Sequence, residues 1–214
     1  MNCCQCQGIE ELFSQQYVAK QLSRYRENGP DKTTRMLTEA IEGEGKGVDG
    51  LSLLDIGGGV GAVQHELLVA GVQDVTSVEA STAYITAARA EAQRRGYAGQ
   101  VAYHHGNFID LAAEIAPADI VTLDRVICCY PDMEKLVGLS AARARKLYGL
   151  VYPRDAWWVK LGLAVGNIFF RLRKNPYRTY VHATQAVDAL LSRNGFKRRF
   201  HRQTLIWQVV IYTR

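Results

Sequence analysis

The stretch LSLLDIGGGVGA, residues 51–62, joins an apolar run, one acidic residue and four glycines. The apolar run predicts a buried strand that ends at Asp55, and the glycines predict a tight turn into a helix. Glycine accepts positive φ and lets a ligand approach the backbone, while the first helical turn leaves N–H groups unpaired. A carboxylate at the strand end accepts hydrogen bonds from an amine or from hydroxyls. The stretch therefore predicts a ligand site of the nucleotide-binding type.

The length and composition of the chain are those of one globular domain. It has 214 residues and a formal net charge of +5, which suits an anionic substrate or an anionic membrane surface. The five cysteines fall in two tight clusters, at positions 3, 4 and 6 and at positions 128 and 129, which is a poor disulfide framework. Because the sequence also lacks an apolar leader and an apolar run of about 18 residues, we expect a cytoplasmic protein without a transmembrane helix.

Strand and helix patterns alternate on both sides of the glycine turn. At the N-terminal side, one helix is predicted from Gly8 to Arg26 and a second one after Asp31, which can cap it. Residues 43–50 are glycine-rich and polar and form a predicted linker. Strands are predicted at 51–55, 75–79, 101–104, 118–123, 147–152, 196–201 and 205–212, with helices at 62–70, 81–95, 132–146 and 185–194.

This order predicts an α/β fold. Alternating strands and helices favour a parallel sheet with helices on both faces. Only residues 202–204 separate the last two strands, which suits a hairpin, so the final strand should run antiparallel. We predict a Rossmann-like, seven-stranded sheet that is mostly parallel and closes with an antiparallel C-terminal hairpin. A single domain over residues 1–214 would comprise a helical arm at 1–45, a cofactor-binding core at 50–150 and a substrate-side insertion or lid at 153–180.

Three ligand classes compete for the glycine turn. A P-loop is excluded because no Gly-Lys-Ser/Thr sequence follows. A dinucleotide fits the spacing, since Gly57, Gly59 and Ala62 satisfy G-x-G-x-x-G/A and Glu79 ends the second strand. Asp55 favours the third ligand, S-adenosylmethionine, because its carboxylate would repel a pyrophosphate and attract an ammonium group. The chain is also too short for the separate substrate domain of a usual dehydrogenase.

Motifs along the core resemble those of class I S-adenosylmethionine-dependent methyltransferases. Residues 55–61 resemble the first motif of that family, and the resemblance continues through 75–81, 105–108 and 118–124. It implies a methyltransferase with S-adenosylmethionine as its cofactor. By the same resemblance, the cofactor-binding residues are Asp55, Gly57, Gly58, Gly59, Gly61, Glu79, Ala80, Asn107, Phe108, Asp124 and Arg125.

The resemblance also implies a role for most of these residues. Asp55 would lie near the methionine amine, the glycines beneath the cofactor, and Glu79 on the ribose hydroxyls. Asn107, which stands where the family usually has an aspartate, would border the adenine together with Phe108. The residues that end the fourth strand, 124 and 125, would lie beside the sulfonium.

The loop from Asp124 to Asp132 bears on the methyl acceptor. It lacks the Asp/Asn-Pro-Pro-aromatic motif of methyltransferases that act on nucleic acid bases, so we expect a small-molecule acceptor and no nucleic acid partner. Cys128 and Cys129 would suit a covalent nucleophile, but we favour the interpretation that they pack as small apolar side chains.

Other candidate side chains are the N-terminal cysteines, the histidines and a tyrosine. Cys3, Cys4 and Cys6 lack a distant fourth ligand, so we predict no metal, although a site shared with another group or subunit would use them. Tyr17 and His182 are the candidate catalytic residues, for an acceptor that needs a base. A carboxylate acceptor needs none, because it is already ionised at neutral pH.

Residues 157–170, WWVKLGLAVGNIFF, form an apolar segment that is followed by Arg171, Arg173 and Lys174. The segment is too short to span a bilayer. It would fit a membrane surface, with the basic residues on the headgroups, a lid over a hydrophobic substrate, or an ordinary packed helix. We favour the lid, and peripheral membrane contact is the alternative.

Both ends of the chain are similar to magnesium-protoporphyrin O-methyltransferases, through the arm at 13–41 and through residues 178–183 with the helix after them. That resemblance implies a large, flat acceptor with a carboxylate. The family carries a histidine near the position of Cys128, which this chain lacks, so a smaller hydrophobic acid or a phenol fits equally well. The predicted substrate-binding residues are Tyr17, Tyr130 and Trp157.

We therefore predict S-adenosylmethionine-dependent methyl transfer to a small hydrophobic or anionic molecule, with O-methylation favoured. The rival hypotheses are an NAD-binding oxidoreductase, a non-catalytic methyltransferase-like adaptor and an RNA methyltransferase. The oligomeric state is left open.

Overall fold

The computed structural model describes residues 4–44 and 47–214. Seven strands are present, with the bounds β1 Ser52–Ile56, β2 Asp74–Glu79, β3 Val101–His105, β4 Ala118–Asp124, β5 Ala144–Pro153, β6 Lys197–Gln203 and β7 Trp207–Thr213. The helices of the described residues are α1 Cys4–Leu12, α2 Gln15–Asn28, α3 Lys32–Glu42, α4 Ala62–Val69, α5 Thr82–Arg95, α6 Phe108–Leu111, α7 Met133–Ala141, α8 Trp157–Leu172 and α9 Thr184–Arg193.

All seven strands form one sheet in the order β3-β2-β1-β4-β5-β7-β6. The first five strands in this order are parallel, whereas β7 runs antiparallel to both β5 and β6. The predicted fold class, including the C-terminal hairpin, is confirmed. Strand order reverses between β1 and β4, and the crevice outside the carboxyl ends of such strands is where open α/β sheets bind ligands.

Two apolar cores cover the two faces of the sheet. Alternate side chains of β1 belong to different cores, because successive side chains of a strand point to opposite faces of the sheet. Leu54 and Ile56 pack in one core, and Leu53 packs in the other. Helices α7 and α9 cover the first face, and α3 and α4 cover the second. Helix α3 lies so close to β5 that a Cβ on Gly149 would come within 2.9 Å of Leu37 Cδ1. This packing fixes the N-terminal helices to the sheet.

Two predicted helices have different bounds in the structure. The helix predicted from Gly8 to Arg26 is interrupted after Leu12, because the Ser14 side chain caps α2 by accepting a hydrogen bond from the Tyr17 N–H (3.4 Å). The helix predicted over 132–146 ends at Ala141. Residues 144–146 instead begin β5, in which Ala144 pairs with Ala118 of β4. Tertiary pairing thus overrides the helical pattern of that segment.

Two further observations concern membranes and metals. Within the described residues, no helix is long and apolar enough to cross a bilayer. In the same part of the chain, no cluster of three or more His, Cys, Asp or Glu side chains is placed to hold a metal ion. The cysteine cluster at positions 3, 4 and 6 lies outside the described residues and side chains, so its predicted behaviour stays a prediction.

Candidate active site

The glycine turn after β1 has the backbone geometry that the sequence predicts. Gly57, Gly59 and Gly61 have φ values of 68°, 57° and 86°, a region that favours glycine. A Cβ on Gly57 would lie 2.5 Å from Val126 Cγ2, and one on Gly58 would lie 2.7 Å from Asp55 Oδ2. Side chains are therefore excluded from this turn both by its conformation and by its neighbours.

A cavity of about 370 Å³ opens at the carboxyl ends of β1, β2 and β4. The predicted cofactor residues that line it are Asp55, Gly57, Gly58, Gly59, Glu79, Ala80, Phe108, Asp124 and Arg125, and the predicted substrate residues that line it are Tyr17 and Tyr130. The structure thus gathers most of the predicted site residues around one cavity. Gly61 and Asn107 are not among the lining residues; Gly61 precedes α4 and Asn107 caps α6.

Asp55 is a buried carboxylate with one free oxygen. Only 1% of its surface is exposed, and its Oδ1 accepts a hydrogen bond from Thr122 Oγ1 (2.8 Å). Its Oδ2 is buried, faces Gly58 and has no partner among the described residues. Burial raises the pKa of Asp55 to about 7, and the nearby Asp124 and Glu79 carboxylates add to this effect. A buried acceptor without a partner predicts a polar ligand group at this position.

Glu79, at the end of β2, is held against the glycine turn. Its Oε2 accepts a hydrogen bond from the Gly59 N–H (3.0 Å), and its Oε1 accepts one from the Ser81 N–H (2.9 Å). Burial raises its pKa, although these backbone N–H groups act in the opposite direction. The carboxylate is therefore fixed at the cavity wall, with lone pairs left for ligand hydroxyls.

The side predicted for the adenine is built by α6 and the loop after β4. Asn107 caps α6, and its Oδ1 accepts hydrogen bonds from the Ile109 N–H (3.4 Å) and from the Tyr130 hydroxyl. Its amide donates to Asp110 Oδ2 (3.1 Å). Phe108, only 2% exposed, belongs both to the apolar core and to the cavity wall. Asn107 therefore positions Tyr130 as well as the start of α6.

The N-terminal arm is bound to the end of β4. Arg125, with a φ of 61°, donates from Nη2 to Asp31 Oδ2 (2.5 Å) and from Nε to Asp124 Oδ1 (3.0 Å). Thr34 Oγ1 donates to Asp124 Oδ2 (2.5 Å). Although burial acts in the opposite direction, the guanidinium holds the pKa of Asp31 below its ordinary value. Asp31, predicted only as a helix cap, thus also connects the arm to the active site.

Asp31→Asn is expected to loosen this connection without removing the cap, because asparagine caps helices as well as aspartate does. The half-exposed ion pair contributes up to about 1 kcal/mol, so the global stability should fall by no more than that. Hydrogen exchange should become several-fold faster in α2 and α3. Asp188→Asn, which breaks the ion pair with Arg198 next to the edge strand, is the control and should leave the exchange of the arm unchanged. Unchanged exchange in Asp31→Asn would contradict this role.

Aromatic side chains form a further part of the cavity wall. The Phe13 ring lies 5.0 Å from the ring of Tyr84, 5.6 Å from that of Tyr17 and 6.4 Å from that of Tyr177. Leu163 of α8 also lines the cavity. Of this set, only Tyr17 is predicted from the sequence as a site residue. The other members come from three distant segments, and no local motif marks them.

Cys128 and Cys129 lie in a short 3₁₀ turn at the same wall. Cys128 is buried, and both thiols are directed to the Arg125 carbonyl, at 3.3 and 3.7 Å. The Cys129 Sγ also lies 3.0 Å from the Tyr177 hydroxyl. These contacts agree with the packing interpretation of the pair, and they join the loop after β4 to the segment after α8.

Two of the predicted residues lie away from the cavity. Trp157 is 72% exposed on the surface of α8. His182 lies in a separate surface depression, and its Nε2–H donates to the Ile127 carbonyl (2.8 Å). Burial lowers the pKa of His182, although its backbone partners act in the opposite direction. The structure therefore does not bring these two side chains to the other site residues.

Residues 54–147 match a family model described as a methyltransferase domain. The match includes the glycine turn, both buried carboxylates and the loop after β4. No curated protein sequence matches the chain. The prediction of an S-adenosylmethionine-dependent methyltransferase is confirmed, and the oxidoreductase alternative is not favoured.

Solved structures show the same fold around this domain. Magnesium protoporphyrin IX methyltransferase from Synechocystis PCC 6803, with bound SAH, has a TM-score of 0.73 and 19% identity, covering 96% of this chain and 98% of its own. An O-methyltransferase family 2 protein from Planctomyces limnophilus, in complex with apigenin, has a TM-score of 0.69 and 14% identity, covering 94% and 62%. An O-methyltransferase family protein from Burkholderia thailandensis has a TM-score of 0.65 and 17% identity, covering 94% and 63%. At sequence identities of 14–19%, the structural similarity establishes the fold alone.

Proposed function

We propose that this chain transfers the methyl group of S-adenosylmethionine to an oxygen of a small, apolar, anionic molecule, most simply a carboxylate. One observation carries the proposal. A single cavity is lined by the buried carboxylates Asp55 and Glu79, by a set of aromatic side chains and by Arg24, which forms no ion pair within the described residues. Two structurally similar proteins support a small-molecule acceptor, since one of them is a magnesium protoporphyrin IX methyltransferase and another is in complex with apigenin.

The residues of the turn fit the cofactor. Asp55 Oδ2 is a buried acceptor without a partner, which suits an ammonium group. Glu79 presents a fixed carboxylate to ribose hydroxyls, and the glycines leave room for a ligand against the backbone. When it is bound, S-adenosylmethionine supplies an electrophilic methyl group on a sulfonium. Asp55 and Glu79 would orient the cofactor, and the arm and α8 would keep water out of the cavity.

Arg24 gives the acceptor end of the cavity its charge. It lies on the same face of α2 as Tyr17, Gln21 and Tyr25, all of which line the cavity. Within the described residues, its guanidinium forms no ion pair, whereas Arg125 is neutralised by Asp31 and Asp124. A carboxylate acceptor is the simplest partner for such a cation. It would also react without a general base, because it is ionised at neutral pH.

The roles of the individual site residues remain proposals. Tyr17 borders the acceptor end and is the candidate that could contact an acceptor hydroxyl. The division of the chain into an arm at 1–45, a cofactor-binding core at 50–150 and a lid at 153–180 agrees with the positions of α2, the glycine turn and α8 around the cavity. The cytoplasmic location and the absence of a nucleic acid partner stay predictions. Peripheral membrane contact also stays a prediction, which the exposed face of α8 supports.

The test is transfer of a tritiated methyl group to a panel of aromatic and polycyclic carboxylic acids, with their neutral amides as matched compounds. Acids should be labelled and amides should not. Arg24→Gln should raise the KM for the acid about tenfold while the Kd of S-adenosylhomocysteine stays unchanged, because a charge-assisted hydrogen bond contributes about 1.5 kcal/mol or more. Lys20→Gln, which removes a cation from the same helix outside the cavity lining, is the control.

Two results would contradict the proposal. One is equal labelling of acids and amides, which would show that the charge of the acceptor does not matter. The other is thermal stabilisation of the protein by NADH but not by S-adenosylhomocysteine, which would favour the oxidoreductase hypothesis. Binding of S-adenosylhomocysteine without transfer to any member of the panel would instead favour the non-catalytic adaptor.

A further inference from the structure

The outer surface of α8 is the main apolar surface of the described chain. Seven of its side chains are large, apolar and between 41% and 77% exposed, namely Trp157, Trp158, Leu161, Val165, Ile168, Phe169 and Leu172. Eleven exposed large apolar side chains occur in the described residues, and seven of them are these. Apolar surface of this extent in one place marks an interaction site.

These seven positions form one stripe. At 100° per residue, their directions fall within an arc of about 120° along a helix that is about 24 Å long. The turn between β6 and β7 extends the stripe, because Leu205 and Ile206 are 73% and 45% exposed and Trp158 Nε1 donates to the Leu205 carbonyl (3.4 Å). We call these nine residues the α8 surface. It is continuous over two elements that are distant in sequence.

The opposite side of α8 is fixed to the protein. Val159 is buried, and Leu163 lines the cavity. Asn167 donates to the Thr179 carbonyl (2.7 Å) and accepts from the Thr179 N–H (2.8 Å), and the Phe170 ring lies 5.2 Å from that of Tyr177. These contacts set the rotation of the helix, so the apolar stripe cannot turn inward to bury itself.

Cationic side chains border the α8 surface. Between residues 154 and 174, five positions are Arg or Lys, and Asp155 is the one acidic residue. Asp155 pairs with Lys160 at 2.6 Å, whereas the other four cations, at 154, 171, 173 and 174, form no ion pair within the described residues. Two of them extend over aromatic rings of the stripe, with Arg173 Cζ 4.1 Å from the Phe169 centroid and Arg154 Cζ 5.5 Å from that of Trp158. The border is therefore strongly positive.

We propose that the α8 surface docks on a bilayer of anionic phospholipids, with α8 lying in the plane of the interface. Its apolar arc, its tryptophans and its cationic border are the features of helices that bind there. A second copy of the chain is a poorer occupant, because a two-fold contact would place the same unpaired cations against each other. On the bilayer, these cations would instead be attracted to the anionic headgroups.

With α8 lying in the plane of the interface, the cavity would face the bilayer only across this helix. The same helix that contacts the bilayer carries Leu163 on its inner side, so α8 would separate the cavity from the lipid. Docking itself needs neither the cofactor nor the acceptor. The proposal can therefore be tested on a protein without methyltransferase activity, and its failure would leave the proposed function intact.

The experiment is flotation of the full chain with vesicles of phosphatidylcholine alone and of phosphatidylcholine with 30 mol% phosphatidylglycerol. The wild-type chain should float with the anionic vesicles. Leu161→Gln/Val165→Gln/Ile168→Gln should reduce the partition coefficient about tenfold or more, since three apolar side chains that would be buried in the interface are lost. These side chains are exposed, so the variant should fold and its thermal shift with S-adenosylhomocysteine should match that of the wild type.

Two comparisons make the test specific. Val69→Gln removes a 66% exposed apolar side chain from α4 and should leave flotation unchanged. Arg171→Gln/Arg173→Gln should reduce the preference for anionic over neutral vesicles. Equal flotation of the triple variant and the wild type, or no flotation of the wild type, would overturn the proposal. A dimer in lipid-free solution that the triple variant abolishes would also overturn it, because a second copy would then cover the α8 surface.

Discussion

Replacing Asp55 by asparagine is expected to weaken the binding of S-adenosylhomocysteine about 10- to 100-fold while the protein stays folded. Asparagine keeps the size of the side chain and an oxygen that can accept from Thr122, but it removes the negative charge beside the partnerless Oδ2. Hydrogen bonds to charged groups contribute about 1.5–3 kcal/mol, which corresponds to this loss of affinity. Isothermal titration calorimetry would measure it. Asp74→Asn, at the opposite end of the sheet, is the control.

The same substitution should change the pH dependence of binding and of stability. Burial raises the pKa of Asp55 to about 7, so much of the carboxyl is protonated in the free protein near pH 6, and a ligand ammonium favours the ionised form. Wild-type affinity should therefore rise between pH 6 and 8, with release of a proton on binding. Because the folded pKa lies above the ordinary value of 3.8, the free protein should lose stability as pH rises from about 4 to 7. Asp55→Asn should lack both dependences, and equal slopes in the two proteins would contradict the role of this carboxyl.

Glu91→Gln is expected to lower the free energy of unfolding by about 2–4 kcal/mol, because the fully buried side chain loses its charge-assisted hydrogen bonds to three guanidiniums. The Glu91 side chain is fully buried and binds three guanidiniums, those of Arg26 (2.8 Å), Arg94 (2.5 Å) and Arg95 (2.8 Å). Arg26 belongs to α2 and the other two belong to α5. The carboxylate therefore binds the arm to the core. For a domain of this size, the melting temperature should fall by roughly 5–15 °C.

The pH dependence of this cluster has the opposite sign to that of Asp55. Hydrogen bonds from Arg94, Arg95 and Arg26 hold the pKa of Glu91 well below its ordinary value of 4.5, although burial acts against them. The stabilisation is therefore present above pH 4.5 and is lost as pH falls toward the lowered pKa. Glu91→Gln should lose stability less steeply in acid than the wild type does. Glu114→Gln, an exposed glutamate, should change stability by less than about 0.5 kcal/mol, and a similar small effect of Glu91→Gln would contradict the prediction.

Sequence periodicity was sufficient to predict the sheet because its signals are local. A buried strand of four to six apolar residues followed by Gly or by a capping side chain is recognisable without knowledge of its neighbours, as for β1 and for Ser81 before α5. The prediction was wrong where a partner strand decided the outcome. Residues 144–146 continue a helical pattern, yet they belong to β5, in which Ala144 pairs with Ala118 of β4, 26 positions earlier in the chain.

The candidate site likewise contains residues that the sequence predicts and residues that only the tertiary structure brings to the cavity. Asp55 and Glu79 stand at the ends of parallel strands, so their positions in the chain already place them at one edge of the sheet. Asp31, Thr34 and Phe13 of the N-terminal arm have no such signal. They reach the cavity because the arm packs over it, a contact that depends on Arg125 and on the cluster around Glu91.

The sequence by itself therefore determined the α/β fold, the glycine turn and the methyltransferase class, since each of these depends on residues close together in the chain. Only the tertiary structure decided which side chains face the acceptor and which face solvent. Trp157 and Leu163 belong to one apolar segment, and the sequence does not distinguish them. The contacts of Asn167 and Phe170 fix the rotation of α8, which directs Leu163 to the cavity and leaves Trp157 on the surface.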